Sequence, residues 1–207
     1  MRRKTKFFKP LFSENKMTHG TSYYLRQAWK QPTREMLNER MIEWRASNAI
    51  EKVEKPLRLD RARALGYKAK KGIIVLRVRV KRGGRTRKRA GVKGRKTRKQ
   101  TNRKTLKMNY QWVAEIRAAR KYRNLEVLNS YKIGKDGKYY FYEIIMVDPS
   151  KPEIKSDRTL RWIANEKNRK RAERGLTSAA KKSRGLRDKS PKKKVRPSLR
   201  AWYRQGK

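Results

Sequence analysis

Side chains that could support covalent or metal-assisted chemistry are scarce in this sequence. The 207 residues include no cysteine, and His19 is the only histidine. The chain can therefore form neither a disulfide framework nor a thiolate-ligated zinc site. Ser178 and Ser183 have no histidine to activate them, so capping or hydrogen bonding to phosphate is the expected role of their hydroxyl groups. The absence of cysteine and the single histidine argue against a serine hydrolase, a thiol enzyme and a histidine-ligated metalloenzyme.

Two other patterns resemble catalytic motifs only superficially. Asp148 and Glu153 flank a proline turn, but solvent-exposed surface acids near basic residues are the more common explanation of such a pair. Gly91 and Gly94 lie in a basic run that lacks the strand and the spacing of a nucleotide-binding loop. We therefore predict that the protein is not an enzyme and that it uses no cofactor, metal ion or small-molecule substrate.

Positive charge dominates the composition. Lys and Arg number 63 against 17 Asp and Glu, which gives a net charge of +46. Such a chain repels itself unless a polyanion neutralises it, and this favours a phosphate-rich partner. Residues 61–114 hold 21 basic residues and no acid, and residues 164–207 hold 17 basic residues and three acids. Polycationic segments of this kind usually serve as interaction arms. No window contains ~18 consecutive apolar residues, so no membrane-spanning helix is predicted.

Hydrophobic spacing predicts two helices near the amino terminus. Apolar residues recur at three- and four-residue steps over residues 21–29. Pro32 interrupts this helix, and Thr33 is placed to cap the next one, with Glu35 in its first turn. The stripe of the second helix that should pack on a core consists of Leu37, Met41 and Trp44.

The segment that follows predicts a strand and a basic loop. Apolar residues alternate with Arg77 and Arg79 over residues 72–80, so one strand face is apolar and the other could present two guanidiniums to phosphate. Ordinary solvated charges are the alternative for these two arginines. Residues 84–104 contain almost no apolar side chain, and we predict a loop that becomes ordered only on a partner.

A helix and a hairpin are the clearest elements of the second half. A stripe at helical spacing predicts a helix over residues 106–122. Residues 125–133 and 139–147 are rich in β-branched and aromatic types and flank Asp136 and Gly137, which favours a β-hairpin. The helix stripe is Met108, Trp112, Ile116 and Ala119. The tryptophans expected to pack in cores are Trp29, Trp44, Trp112 and Trp162.

The tail contains a short internal repeat. The sequence RGL at residues 174–176 recurs at residues 184–186. Thr177 or Ser178 can cap one or two helical turns between the two copies, and Gly185 can end them. Further on, Trp202 lies in a basic run, where it could stack on a splayed base or pack back onto the domain.

Five longer runs of the sequence are distinctive. They are RLDRARALGYKAKKGIIVLRVRVKRGG at 58–84, LEVLNSYKIGKDGKYYFYEIIMVDP at 125–149 and RGLTSAAKKSRGL at 174–186, with SYYLRQAWKQP at 22–32 and RPSLR at 196–200. These runs resemble one known family, the large-subunit ribosomal proteins called L-fifteen-e of archaea and eukaryotes. The resemblance covers nearly all of the chain from about Ser22, and the tail resembles archaeal members most.

The resemblance implies an α+β fold with a small antiparallel sheet packed with helices, plus long basic RNA-binding extensions. It implies no catalysis. It implies large-subunit ribosomal RNA and neighbouring large-subunit ribosomal proteins as partners, in the cytoplasmic ribosome. We divide the chain into an extension at 1–16 that precedes the family's usual start, an α+β domain at 17–163 and a basic extension at 164–207.

The predicted RNA contacts come from both lines of reasoning. The family motifs imply contacts by Arg61, Arg63, Lys68, Lys70, Lys71, Arg174, Lys181, Lys182 and Arg184. The basic strand, the run after it and the tail add Arg77, Arg79, Lys81, Arg82, Arg85, Arg87, Lys88, Arg89 and Trp202. We predict a structural protein that stabilises folded ribosomal RNA by charge neutralisation. A DNA-compacting chromatin protein is the alternative, although it would favour regular basic modules or minor-groove wedges.

Overall fold

A computed structural model describes residues 19–86, 103–104, 106 and 108–187 of the chain. The helices of this part are α1 (Thr21–Ala28), α2 (Arg34–Ala46), α3 (Leu59–Ala64), α4 (Tyr110–Lys121), α5 (Pro152–Lys155) and α6 (Ser178–Ser183). Its strands are β1 (Ile50–Val53), β2 (Ile73–Lys81), β3 (Arg85–Thr86), β4 (Arg103–Lys104), β5 (Glu126–Lys135) and β6 (Tyr139–Val147). Two short 3₁₀ helices cover Arg161–Ala164 and Glu166–Asn168. None of the helices described is long and apolar enough to cross a bilayer.

Four strands form the central sheet in the order β1-β2-β6-β5, and every neighbouring pair is antiparallel. Strand β6 is paired on both sides, and residues 141–147 are all buried. Because helices cover both faces of this strand, nearly every position is apolar and the usual alternation disappears. The antiparallel sheet with its helices confirms the predicted α+β class.

One face of the sheet packs against α2, α3 and the segment that follows β6. Trp44 of α2 lies in this core and is only 2% exposed, with its ring centroid 5.3 Å from that of Phe141. The buried residues of this core are Trp44, Ala62, Leu128, Tyr131, Ile133, Phe141, Ile145, Val147, Ile154, Leu160 and Ile163.

The opposite face packs against α4. Ala114 and Ala118 of α4 are fully buried, and their small side chains let the helix lie close to the sheet. The alternation predicted for β2 is confirmed, because Leu76, Val78 and Val80 point into this core. The buried residues here are Leu76, Val78, Val80, Ala114, Ala118, Leu125, Val127, Tyr142, Ile144, Met146 and Ala172.

The start of the tail docks onto the outer side of α4. Trp112 packs against Ala179 and Ala180 of α6, and its indole Nε1 donates a hydrogen bond to the carbonyl oxygen of Ala172 at 2.7 Å. Residues 164–187 therefore contribute buried side chains to the folded unit. The boundary at residue 163 remains a prediction, since the remainder of the tail lies outside the described residues.

Some local predictions need correction. The helix predicted from residue 106 begins at Tyr110, because the Asn109 side chain accepts a hydrogen bond from the Trp112 amide at 2.7 Å and caps the helix there. Thr33 precedes α2 but makes no side-chain cap hydrogen bond. Trp162 is 41% exposed and does not pack in a core.

Other differences concern elements that tertiary pairing creates. Strand β1 and helix α3 were not predicted. The ends of the predicted loop at 84–104 pair with each other as strands β3 and β4, whereas we expected no strand there. The predicted hairpin is confirmed, and Asp136 holds its turn by accepting a hydrogen bond from the Lys138 amide at 2.7 Å.

Candidate nucleic-acid interface

The predicted lysines before β2 surround one carboxylate. Lys68 Nζ lies 2.9 Å and Lys70 Nζ 2.8 Å from Asp157 Oδ2. Thr159 Oγ1 accepts a further hydrogen bond from Lys68 at 2.7 Å. The hydrogen bonds from Lys70 and then Lys68 hold the pKa of Asp157 well below its ordinary range. We call these four residues the Asp157 cluster. Arg61, Arg63 and Lys71 are exposed on nearby stretches of the chain.

Arg77 and Arg79 lie on the sheet face that α2 covers. Arg77 Nη2 contacts Glu51 Oε2 at 2.7 Å and Glu43 Oε1 at 3.3 Å, and its side chain is only 14% exposed. Arg79 donates to the carbonyl oxygen of Arg45, and its guanidinium carbon lies 5.0 Å from the centroid of the Tyr139 ring. The protein itself already supplies partners for both guanidiniums.

Lys81 and Arg82 are exposed at the far end of β2. Arg82 Nη1 donates to the carbonyl oxygen of Asp136 at 2.6 Å, and its guanidinium carbon lies 5.1 Å from the centroid of the Tyr140 ring. Beside Arg82 lies a groove of about 550 Å³, which we call the tyrosine groove. Its lining residues are Gly83, Gly84, Leu106, Met108, Asn109, Tyr110, Gln111, Tyr140, Tyr142 and Lys182.

Helix α6 brings Lys182 to this groove. Thr177 caps α6 by accepting a hydrogen bond from the Ala180 amide at 3.3 Å. Asn109 joins α6 to α4, since its amide donates to Ser183 Oγ at 3.0 Å and its Nδ2 donates to the Ala179 carbonyl, also at 3.0 Å. The exposed Lys182 is thereby fixed next to the end of β2, although about 100 residues separate the two in the sequence.

The two copies of the tail repeat have the same backbone geometry. Gly175 and Gly185 adopt positive φ angles of 73° and 72°, which glycine accepts without strain. Arg174 is exposed and donates to the Arg169 carbonyl at 2.9 Å, whereas Arg184 is half-buried and donates to the Gly175 carbonyl at 3.1 Å. The arginine of the second copy thus holds the first copy in place.

A buried ionic network lies beneath these surfaces and was missed by sequence reasoning. Glu115 is fully buried and accepts hydrogen bonds from Ser130 and Thr177. Burial raises the pKa of Glu115 above its ordinary value, although these hydrogen bonds and the Arg171 charge oppose the shift. Arg171 is 9% exposed and donates to the carbonyl oxygens of Val127 and Leu128. No local pattern marks these residues as buried, because each partner comes from a distant element.

Part of the predicted set cannot be placed. Arg85 lies in strand β3, but only its backbone is described. Arg87, Lys88, Arg89 and Trp202 lie outside the described residues. The structure therefore brings Arg82 and Lys182 to the tyrosine groove, and it separates them from the Asp157 cluster by the length of β2. Lys81 lies at the same end of β2 but on the other face of the sheet, opposite Tyr139.

Comparison with known proteins identifies the family. A family model described as Ribosomal L15 matches residues 20–202. The chain belongs to this ribosomal protein family. The resemblance indicated by the sequence motifs is confirmed, and the match includes the motifs at 58–84 and 174–186.

Members of the ribosomal L15 family from archaea are similar to this chain over most of its length. The large ribosomal subunit protein eL15 of Methanospirillum hungatei is 51% identical over 191 residues, which cover 89% of this chain and 97% of that protein. The protein of the same name from Methanocella arvoryzae is 52% identical over 197 residues, which cover 92% of this chain and all of that protein.

Proposed function

We propose that the protein is a structural constituent of the large ribosomal subunit that binds and stabilises folded ribosomal RNA. Family membership and the names of the archaeal relatives support this role. The observation that carries the mechanism is the cationic surface at the end of β2, where Arg82 and Lys182 are exposed at the tyrosine groove and the groove has no acidic lining residue. RNA phosphates supply the counter-charge that the protein lacks at this surface.

The placement of the acidic residues supports the same mechanism. Asp157 bonds two lysines, and Glu51 bonds Arg77. Glu115 and Glu143 are buried and accept hydrogen bonds from within the protein. These carboxylates serve the fold, so they contribute little negative charge to the cationic surface. The exposed bases would otherwise repel one another, and phosphate binding removes that cost.

In this proposal, basic segments outside the described residues also bind RNA. Residues 87–102 hold eight basic residues and no acid. In a folded RNA, such a segment neutralises phosphates where RNA strands approach closely. Neighbouring large-subunit proteins and a cytoplasmic ribosome are the expected surroundings. Family membership argues against the chromatin alternative, and no feature of the described fold favours it.

Sedimentation of the full-length protein tests the proposal. We expect the protein to move with large ribosomal subunits in a high-magnesium gradient. Ribonuclease treatment should release it, and deoxyribonuclease should have no effect. Sedimentation with DNA, or retention on particles whose RNA has been digested, would contradict the proposed role. Small ribosomal subunits in the same gradient provide the control for nonspecific binding to RNA.

A further inference from the structure

The tyrosine groove combines aromatic walls with a cationic rim. Tyr110 and Tyr140 are half-buried beside the groove, whereas Tyr142 is 6% exposed and lies deeper. The ring centroids of Tyr110 and Tyr140 are 4.9 Å apart, and those of Tyr140 and Tyr142 are 6.3 Å apart. The three rings form a connected aromatic surface at the amino-terminal end of α4.

The position of this aromatic surface is fixed by hydrogen bonds. The Tyr110 hydroxyl accepts a hydrogen bond from the Gly83 amide at 3.0 Å and donates to the Gly83 carbonyl at 3.1 Å. Gly83 has a φ angle of +98°, a conformation that favours glycine. The end of β2 and the start of α4 are therefore held together, and the groove between them is formed before any ligand arrives.

Cationic groups lie next to the aromatic surface. Lys132 Nζ and the Arg82 guanidinium carbon both lie over the Tyr140 ring, at 4.9 Å and 5.1 Å from its centroid. Lys182 lies on the lining of the same groove, and no lining residue is acidic. Aromatic rings beside a phosphate-binding rim are the arrangement by which proteins hold single-stranded nucleic acids.

The amide side chains of the groove are already used within the protein. Asn109 bonds α6 and caps α4, as described above. Gln111 Nε2 donates to the carbonyl oxygen and to Oγ of Ser130, at 2.9 and 2.8 Å. These groups are poorly placed to read the hydrogen-bonding edge of a base. A ligand in this groove is therefore recognised by its flat face and its charge.

We propose that the tyrosine groove receives one unpaired nucleobase of RNA. The base stacks on the tyrosine surface, where it replaces a cation that now lies over the Tyr140 ring, and its flanking phosphates contact Arg82, Lys132 and Lys182. This proposal rests on the proposed function and assigns a base-binding site to it. The groove volume of about 550 Å³ lies within the range of small-molecule sites. An uncharged apolar peptide would leave the cationic rim without partners, so charge complementarity favours the nucleotide.

A pair of RNA probes separates stacking from charge neutralisation. The full-length protein is titrated with an adenosine hexamer and with a hexamer of the same phosphate number whose two central residues are abasic. We expect the abasic probe to bind about tenfold more weakly, and a uridine hexamer to bind within a few-fold of the adenosine hexamer. Equal binding of both adenosine-derived probes would overturn the groove proposal and leave the proposed function standing. Absence of binding by every probe would count against both.

Substitutions test whether the preference for the adenosine hexamer over the abasic hexamer arises in the groove. Tyr140→Leu should reduce the tenfold ratio to about one, and Tyr140→Phe should keep it because the ring is retained. Tyr139→Leu is the matched control, since Tyr139 is the adjacent residue on the opposite face of the sheet and lies near Phe141. A ratio that Tyr140→Leu leaves unchanged would show that the base stacks elsewhere, for example on Trp202 of the tail, and would overturn the proposal.

Photocrosslinking provides a test on the unmodified protein. A uridine hexamer with one central 5-iodouridine is irradiated in the complex, and the crosslinked peptide is sequenced. We expect crosslinks at Tyr110 or Tyr140. Crosslinks confined to other parts of the chain would contradict the proposal even if Tyr140→Leu failed to fold. The alternative occupant of the groove is the tail of the same chain. In that case removal of residues 188–207 should create crosslinks at Tyr110 or Tyr140 that the full chain lacks. This outcome would also overturn the groove proposal.

Discussion

The cations at the two ends of strand β2 have different surroundings. Before the strand, Lys68 and Lys70 both donate to the carboxylate of Asp157. After it, Arg82 is exposed next to the tyrosine groove, which has no acidic lining residue. The nine residues of β2 span roughly 27 Å between the two sites. The basic residues at both ends, Lys68, Lys70 and Arg82, belong to residues 61–114, which contain no acid.

The difference shows that a local count of charges overstates what is available to a polyanion. Asp157 comes from a segment about 90 residues downstream of the two lysines and neutralises part of their charge. The Asp157 cluster retains a net charge of +1, from two lysines and one carboxylate. At the other end, folding brings Lys182 to the groove beside Arg82 and so increases the positive charge there. Folding therefore concentrates the available positive charge at the carboxyl-terminal end of β2.

The largest expected effect is the salt dependence of RNA binding by the whole chain. If about ten of the 38 bases in residues 61–114 and 164–207 contact phosphate, log K should fall with log salt with a slope of roughly −7 to −9. Between 50 and 200 mM salt this slope corresponds to about 10⁴- to 10⁵-fold in affinity. Titrations with ribosomal RNA fragments at several salt concentrations measure it. A slope near zero would exclude charge neutralisation as the mechanism of RNA binding. The charges at the two ends of β2 would then make no difference to binding.

A second prediction concerns Trp112, which holds α6 and therefore Lys182 in place. Trp112→Ala should lower the free energy of unfolding by about 3–5 kcal/mol, because Trp112 is 5% exposed and packs between α4 and α6. Thermal or denaturant unfolding of the purified protein measures the change. Trp162→Ala is the matched control, since Trp162 is 41% exposed and should tolerate truncation far better. Equal losses of unfolding free energy in the two variants would mean that the packing of α6 on Trp112 contributes little to the stability of the groove end of β2.

The sequence predicted the elements whose signals are local. The hairpin and helices α2 and α4 follow from periodicity and turn residues, and each was placed to within a few residues. Strand β1 was missed because its four residues become a strand through pairing with β2, where Glu51 lies opposite Arg77. The surroundings of Arg77 were also unpredictable, since α2 supplies Glu43 from a separate part of the chain.

The tyrosine groove illustrates the same limit at the candidate site. Tyr140 and Tyr142 stand two residues apart on β6, so the sequence places them on one face of a strand. The third ring, that of Tyr110, reaches them because α4 crosses that face, and no sequence spacing encodes the contact. The basic composition predicted a polyanion partner, but folding determines which cations stand beside aromatic rings.

A third prediction compares the two ends of β2 directly. Arg82→Gln with Lys182→Gln should reduce the magnitude of the salt slope by about two, because each lost phosphate contact removes about one unit. Lys68→Gln with Lys70→Gln removes the same number of charges but should change the slope by about one or less, since the cluster offers a net charge of only +1. Affinity measurements on both double variants at matched salt concentrations test this difference. Equal changes in slope would show that RNA displaces Asp157 from its lysines and that both ends bind phosphate.

The smallest expected effect is a pH dependence at the Asp157 cluster. The folded-state pKa of Asp157 lies below its ordinary value of 3.8, chiefly because of hydrogen bonds from Lys70 and Lys68. The ionised carboxylate therefore stabilises the fold above pH 3.8, and this contribution is lost as the pH falls below that value toward the folded-state pKa. Asp157→Asn removes the ionisable group, so the difference in free energy of unfolding between wild type and variant should be constant above about pH 5 and should shrink below pH 3.8. Burial raises the pKa values of Glu115 and Glu143, and their titration opposes this trend. Both residues are present in wild type and variant, so their contributions cancel in the difference.

Urea unfolding from pH 2.5 to pH 7 measures this difference in free energy of unfolding. Lys81→Gln is the charge control, and its profile should run parallel to wild type. A difference that does not change with pH would mean that the Asp157 carboxylate gains nothing from its lysines, and the two ends of β2 would then be electrostatically alike.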